Sequence, residues 1–164
     1  MKRRAALLSL SALALSACGF QLRGTGGRGV IPFKSVHLGA GTGGRLGTEL
    51  RRYLRASDIE LTAEPKNAEA VIDILSERQS RATISLNSQG RVRDYSIFYN
   101  VVFRVNDGSG RELIPSSTIT LKRDLTFNES QVIAKEKEEE MLYRDMQSDV
   151  VQQILRRLSA VNRS

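Results

Sequence analysis

Alternation of apolar and polar side chains covers three long segments in the middle of the chain, residues 70–86, 91–106 and 112–122. This two-residue period is typical of a β-strand with one buried face. The clearest case is the second segment, where every other residue is apolar: Ile97, Tyr99, Val101, Phe103 and Val105. In the first segment the same period places Ile72, Ile74 and Ser76 on one face, and later sets Ala82, Ile84 and Leu86 against Arg81, Thr83 and Ser85.

Short glycine-containing stretches separate these segments. Asn87–Gly90 and Asp107–Gly110 have the composition of tight hairpin turns, with Gly90 suited to a positive φ. Pro115 favours an edge position or a bulge for the third segment. The pattern therefore predicts an antiparallel meander whose long strands extend past a minimal core.

Two other segments have the 3.6-residue period of amphipathic helices. Arg45–Ala56 is predicted as a helix with its apolar stripe at Leu46, Leu50, Tyr53 and Leu54. Gln131–Leu158 is predicted as one long helix with its stripe at Leu142, Met146, Val150, Ile154 and Leu158. Residues 35–38 are predicted as a short strand and residues 59–62 as a short extended piece. Four arginines of the first helix lie mostly off its stripe, and a solvated face is favoured over a phosphate-binding face: Arg45, Arg51, Arg52 and Arg55.

The first residues have the three regions of a secretory signal peptide. Basic residues are followed by an apolar run from Ala5 to Leu15 and then by small residues before Cys18, the only cysteine. The run is too short for a bilayer span, which needs about 20 residues. Leu15-Ser-Ala-Cys18 resembles a bacterial lipobox, in which the cysteine is acylated after cleavage. An ordinary signal peptide with a chance cysteine is the less favoured alternative.

These features divide the chain into three parts. Residues 1–17 are predicted as the signal peptide, residues 18–34 as a lipidated N-terminus and flexible tether, and residues 35–164 as a single domain. Gly39–Gly44 matches G-x-G-x-x-G between a strand and a helix, with Glu60 about 20 residues on. A plain strand-to-helix loop is favoured over a dinucleotide site, because the later strands do not alternate with helices.

Composition argues against catalysis. The precursor carries a net charge of +7, and removal of Lys2, Arg3 and Arg4 leaves 22 basic against 18 acidic residues. A mildly basic periplasmic surface suits anionic lipid or phosphorylated glycolipid better than nucleic acid. The single histidine, His37, alternates with apolar neighbours and is interpreted as structural. With no free thiol and one histidine, neither a nucleophilic site nor a metal site is predicted, and no cofactor is expected.

Several motifs together resemble the LPS-assembly lipoprotein LptE family. They are Cys18-Gly-Phe-Gln-Leu-Arg-Gly24, Asp94-Tyr95 at the start of the long strand, Lys122-Arg123 near the end of the last strand, and Ala134-Lys135 followed by Glu139-Glu140-Met141 in the final helix. The resemblance implies an α+β fold, with a four-stranded, mostly antiparallel sheet and two helices packed on one face.

The same resemblance implies a role in lipopolysaccharide transport at the outer membrane. The expected partner is the β-barrel LptD, in whose lumen the domain would sit as a plug from the periplasmic side. Lipopolysaccharide itself is expected to bind through basic residues near one end of the sheet, where Lys135 matches a family position. A second family position falls in the first hairpin turn, where this chain has Asn87 and Ser88, and Arg91 and Arg93 just beyond could replace it. A pilotin-like lipoprotein that escorts another outer-membrane complex is the alternative.

Overall fold

The computed structural model describes residues 31–161. Its elements, in chain order, are β1 (Ser35–Leu38), α1 (Arg45–Ala56), β2 (Glu60–Leu61), β3 (Ala70–Leu86), β4 (Val92–Asn106), β5 (Glu112–Thr126) and α2 (Val132–Ser159). Short 3₁₀ turns occupy Pro65–Asn67 and Glu129–Gln131. The signal peptide, Cys18 and most of the expected tether lie outside the described residues.

One five-stranded sheet with the order β2-β1-β3-β4-β5 contains all of the described strands. β1 runs parallel to both β2 and β3, whereas β3, β4 and β5 form the expected antiparallel meander. The prediction of an α+β fold with two helices is confirmed, but the prediction of four mostly antiparallel strands is wrong. The sheet is mixed because α1 serves as the crossover between β1 and β2, and such a connection allows parallel pairing. β2 has two residues, too few to show a period.

A β-bulge divides β3 into two parts. Ile74 pairs with Phe103 but Ser76 pairs with Val102, so Leu75 is the extra residue. A one-residue shift moves the side chains that follow to the opposite face of the sheet, here as far as the next register shift, between Thr83 and Ser85. Beyond the bulge Glu77, instead of Ser76, lies on the face that carries Tyr99 and Val101. The prediction that Ser76 shares a face with Ile72 and Ile74 is therefore wrong.

Both helices pack on the same face of the sheet. Leu46, Leu50 and Leu54 of α1 join the C-terminal half of α2 in one buried cluster. The sheet contributes the alternate residues of β4 that the sequence predicted: Ile97, Tyr99, Val101, Phe103 and Val105. Phe33 is also in this cluster, with 3% of its surface exposed. The packed part of the chain therefore includes residues before Ser35.

The other face of the sheet, here called the open face, is polar. Ser96 Oγ donates to Asp124 Oδ1 at 2.6 Å and Thr120 Oγ1 donates to Asn100 Oδ1 at 2.7 Å. Arg104 Nε donates to Asp73 Oδ2 at 3.0 Å. Cross-strand hydrogen bonds of this kind satisfy side chains on a face that no described helix covers.

Candidate functional site

The turn between β3 and β4 presents the first of the predicted ligand-binding arginines. Asn87 organises this turn, because its Oδ1 accepts from the backbone N–H of Gln89 at 3.0 Å and of Arg91 at 2.9 Å. Gly90 completes the turn with a φ of +74°, a conformation that favours glycine. The predicted hairpin turn is confirmed, and Asn87 has a role within it.

Arg91 and Arg93 line one small cavity at the end of the sheet. The cavity has a volume of about 310 Å³ and also contacts Phe127 and Asn128, which follow β5. Arg93 has 70% of its side chain exposed, and its Nε lies 3.9 Å from Asp94 Oδ2. A hydrogen bond from Phe127 N to Arg93 O, at 2.7 Å, holds the two chain segments together. The structure therefore brings two predicted cations to one accessible place.

Asp94 places a carboxylate beside Arg93 at this cavity. Hydrogen bonds from Ser85, the larger cause, and from Thr126 lower its pKa, and the charge of Arg93 adds to them. Its negative charge offsets part of the positive potential of the two arginines.

Lys135 does not line this cavity. It lies in the first turn of α2, which begins shortly after Asn128 at the same end of the sheet. Only 18% of its side chain is exposed, and its Nζ donates to Glu138 Oε2 at 2.8 Å. An anionic ligand would have to compete with that carboxylate for the ammonium group.

Exposed apolar side chains also lie at this end of the sheet. Ile84 and Leu86 of β3 are 52% and 58% exposed. Val132 and Ile133 at the start of α2 are 40% and 73% exposed. The alternation in β3 predicts one buried face, but the strand continues past the helices that could cover it. The length of the strand relative to the helices was the available signal.

The glycine-rich loop before α1 has a structural explanation. A Cβ at Gly39 would overlap Asp73 Oδ1, and a Cβ at Gly41, which has a φ of +72°, would overlap the carbonyl oxygen of Ile74. The loop thus packs closely against β3, and Ala40 N donates to Asp73 Oδ1 at 3.0 Å. The meander beside this loop is antiparallel, unlike the repeated parallel units of dinucleotide-binding sheets.

The single histidine makes a contact within the sheet. His37 Nδ1 lies 2.9 Å from Thr62 O, a contact that fixes β1 to the residue after β2. Residues 31–161 contain no group of three or more side chains arranged to hold a metal ion. None of the helices in that range combines the length and the hydrophobicity of a membrane span.

The family model for LptE, described as lipopolysaccharide-assembly, matches residues 30–158. This chain belongs to the LptE family. The match runs from just before β1 almost to the end of α2, so it includes every described strand and both helices.

Relatives that carry the LptE name extend over nearly the whole chain. The LPS-assembly lipoprotein LptE of Pectobacterium atrosepticum is 26% identical over 162 residues, which cover 96% of this chain and 85% of that protein. Its namesake from Yersinia enterocolitica is 27% identical over 157 residues, with coverages of 95% and 75%.

Solved structures show the same fold as this LptE-family chain. The solution structure of an uncharacterized lipoprotein B from Nitrosomonas europaea has a TM-score of 0.74 and 38% identity, with 87% of this chain and 91% of that chain covered. The crystal structure of the rare lipoprotein B from Shewanella oneidensis has a TM-score of 0.69 and 24% identity, with coverages of 77% and 94%. At that identity the second likeness concerns the fold alone.

Proposed function

We propose that this chain is the outer-membrane lipoprotein subunit of a lipopolysaccharide translocon, with an LptD-type β-barrel as its partner. The observation that carries the proposal is the family match over residues 30–158, together with relatives named LPS-assembly lipoproteins. The role is one of assembly and ligand transfer, and no catalytic step is assigned to the protein.

The proposed anchor is Cys18, acylated after removal of residues 1–17. One acyl chain holds a protein at a membrane only marginally, whereas two or more give a stable anchor. The domain would then act on the periplasmic side of the outer membrane and inside the barrel.

The open face supports a position in the lumen of a barrel. Its hydroxyl, amide and carboxylate groups form hydrogen bonds such as Ser96–Asp124 and Thr120–Asn100. The interior of an outer-membrane barrel is polar and hydrated, so a sheet with one polar face can lie against that wall without burying unsatisfied groups.

Lipopolysaccharide binding is proposed at the end of the sheet that carries Arg91 and Arg93, with Lys135 nearby. The phosphates and carboxylates of this ligand suit charge-assisted hydrogen bonds from guanidinium groups. Exposed apolar side chains, among them Ile84 and Ile133, lie at the same end. A basic cavity beside exposed apolar side chains fits a ligand that combines anionic headgroups with acyl chains.

Purification of the tagged full chain from detergent-solubilised outer membranes tests the proposed assembly. We expect an LptD-type barrel at equimolar amount, and an intact mass that corresponds to a chain beginning at acylated Cys18. Recovery of a secretion-type ring protein would favour the pilotin alternative instead. An unacylated chain, or one without any barrel partner, would contradict the proposal.

Charge reversal tests the proposed ligand site. The double variant Arg91→Glu/Arg93→Glu should bind lipopolysaccharide at least about tenfold more weakly, because each lost charge-assisted hydrogen bond contributes about 1.5–3 kcal/mol. Binding is measured by surface plasmon resonance with the full chain in a neutral detergent. Lys135→Gln should have a smaller effect, since Glu138 already holds the ammonium group.

A matched control separates this site from general charge effects. Arg55→Glu/Arg156→Glu makes the same change of charge at two exposed helix positions away from the cavity. Its affinity should stay near that of the wild type, with all circular dichroism spectra unchanged. Equal losses in the two double variants would mean that Arg91 and Arg93 are merely part of a solvated basic surface.

A further inference from the structure

A groove of about 710 Å³ lies between the start of α1 and the middle of α2, and is here called the α1–α2 groove. Gly43 and Gly44 form its edge, so the groove is bounded by the second half of the glycine-rich loop. A Cβ at Gly43 would meet nothing within 4 Å, whereas those at Gly39 and Gly41 would meet β3. Contact with β3 therefore explains Gly39 and Gly41, the first two glycines of the motif, but not Gly43, which stands at one of its variable positions.

The first turn of α1 is open toward this groove. No side chain caps Gly44, and the first turn contains no acidic residue. The first backbone N–H groups of a helix have no partners within the helix, and the helix dipole makes this end attractive to anions. A helix start alone is a common feature, so the surrounding side chains decide whether this one is a site.

Three arginines line the groove, and two of them converge on one oxygen atom. Arg144 Nη2 donates to Glu140 Oε1 at 2.6 Å, and Arg45 Nη1 lies 3.6 Å from the same oxygen. The side chains of Arg45 and Arg144 are 72% and 60% exposed, so both remain accessible from solvent. Arg52 is the third, and its Nη2 lies 3.5 Å from Glu49 Oε1.

Acidic side chains balance these charges from two sides. Glu49 lies in the groove and also accepts from Ser148 Oγ at 2.5 Å. A neighbouring cavity shares Arg45 and Arg144 with the groove and adds Glu77, Glu136 and Glu139. Glu140 lines that neighbouring cavity, not the groove itself, and its carboxylate contacts both guanidinium groups.

Gln147 supplies the second, independent observation. It lines the groove and the neighbouring cavity, and only 8% of its surface is exposed. Its Nε2 has no hydrogen-bond partner, alone among buried side-chain nitrogen and oxygen atoms of the described residues. A buried donor without an acceptor costs about 1–3 kcal/mol. A ligand oxygen would remove that cost.

We infer that the α1–α2 groove binds a phosphate group, either as free phosphate or as part of a phosphorylated glycolipid. The α1 amides, the guanidinium groups of Arg45 and Arg144, and the Gln147 amide are all donors, and a phosphate offers the acceptors to match them. This site is distinct from the cavity of Arg91 and Arg93, and its binding of phosphate does not depend on the proposed transport role.

Titration of the ¹⁵N-labelled full chain in maltoside with inorganic phosphate, at constant ionic strength, tests the inference. The amide signals of Gly43, Gly44 and Arg45 should shift and saturate. Arg144→Gln should weaken this binding about tenfold, which is the loss of one charge-assisted hydrogen bond. Glu140→Gln should strengthen it severalfold, because the internal competitor is gone while both arginines remain.

Two controls make the same changes of charge elsewhere. Arg156→Gln removes a cation from an exposed position of α2, and Glu60→Gln removes an anion from the exposed start of β2. Both should bind phosphate as the wild type does. Unshifted amide signals of Gly43, Gly44 and Arg45 would overturn the inference. So would an Arg144→Gln variant that matches Arg156→Gln, or a Glu140→Gln variant that matches Glu60→Gln.

A second titration distinguishes the two sources of the phosphate. Glucosamine 1-phosphate that binds more tightly than inorganic phosphate would assign the groove to the headgroup of a glycolipid. Equal affinities would assign it to the phosphate group itself. Either result supports the site. Failure of both ligands to bind would overturn the inference about the groove. It would not test the cavity of Arg91 and Arg93, which is the separately proposed lipopolysaccharide site.

Discussion

Gly41→Ala should lower the free energy of unfolding by about 3 kcal/mol. The left-handed conformation of Gly41, with a φ of +72°, costs an alanine about 1–2 kcal/mol. The added methyl group would also overlap the carbonyl oxygen of Ile74, and the backbone shift that relieves such overpacking costs about 1–3 kcal/mol. Chemical denaturation followed by circular dichroism measures the loss.

Gly43→Ala is the control from the same loop. Its φ is not positive, and its Cβ would meet nothing within 4 Å. We expect its free energy of unfolding to stay within about 0.5 kcal/mol of the wild-type value, as for most surface substitutions. If the two variants unfolded at the same denaturant concentration, the close approach of the loop to β3 would be disproved.

Phe103→Ala should destabilise the protein at least as much as Gly41→Ala, lowering the free energy of unfolding by about 3–5 kcal/mol. Phe103 is fully buried on the face of β4 that both helices cover, and the guanidinium carbon of Arg157 lies 5.4 Å from its ring centroid. Truncation would remove most of a large side chain and leave a cavity between the sheet and the helices. Thermal unfolding of the full chain gives the measurement.

Phe98→Ala provides the comparison on the same strand. Phe98 is half-buried on the open face, so its removal exposes less apolar surface and leaves no enclosed cavity. A loss of about 1 kcal/mol is expected. Equal losses for Phe98→Ala and Phe103→Ala would show that the open face is buried in the protein, which contradicts helix packing on one face only.

Periodicity predicted the long elements well because each shows many repeats of its pattern. α1 has the predicted bounds, and α2 begins one residue after Gln131 and ends one residue after Leu158. Two features are too short to produce a periodic pattern. They are the two-residue strand β2 and the bulge at Leu75.

The candidate site was predictable only in part. The hairpin turn placed Arg91 and Arg93 together, since both follow it directly in the chain. The ion pair between Lys135 and Glu138 could have been predicted from the sequence, because the two residues are three apart on one helix. The approach of Arg45 and Arg144 to the same carboxylate could not have been predicted, because these residues are 99 positions apart and meet only through helix packing.

The bulge at Leu75 also constrains how the length of the β3–β4 hairpin can change in evolution. Deletion of Leu75 would restore the simple alternation and exchange the two faces of the strand from Ser76 to Thr83, where the next register shift begins. Glu77 would lose the hydrogen bond that its Oε1 accepts from the Tyr99 hydroxyl at 2.6 Å. Arg81 would lose its hydrogen bond to Glu139 of α2. Insertions and deletions between Leu75 and the next register shift, at Ile84, are therefore tolerable only in pairs of residues, or with a compensating change in β4.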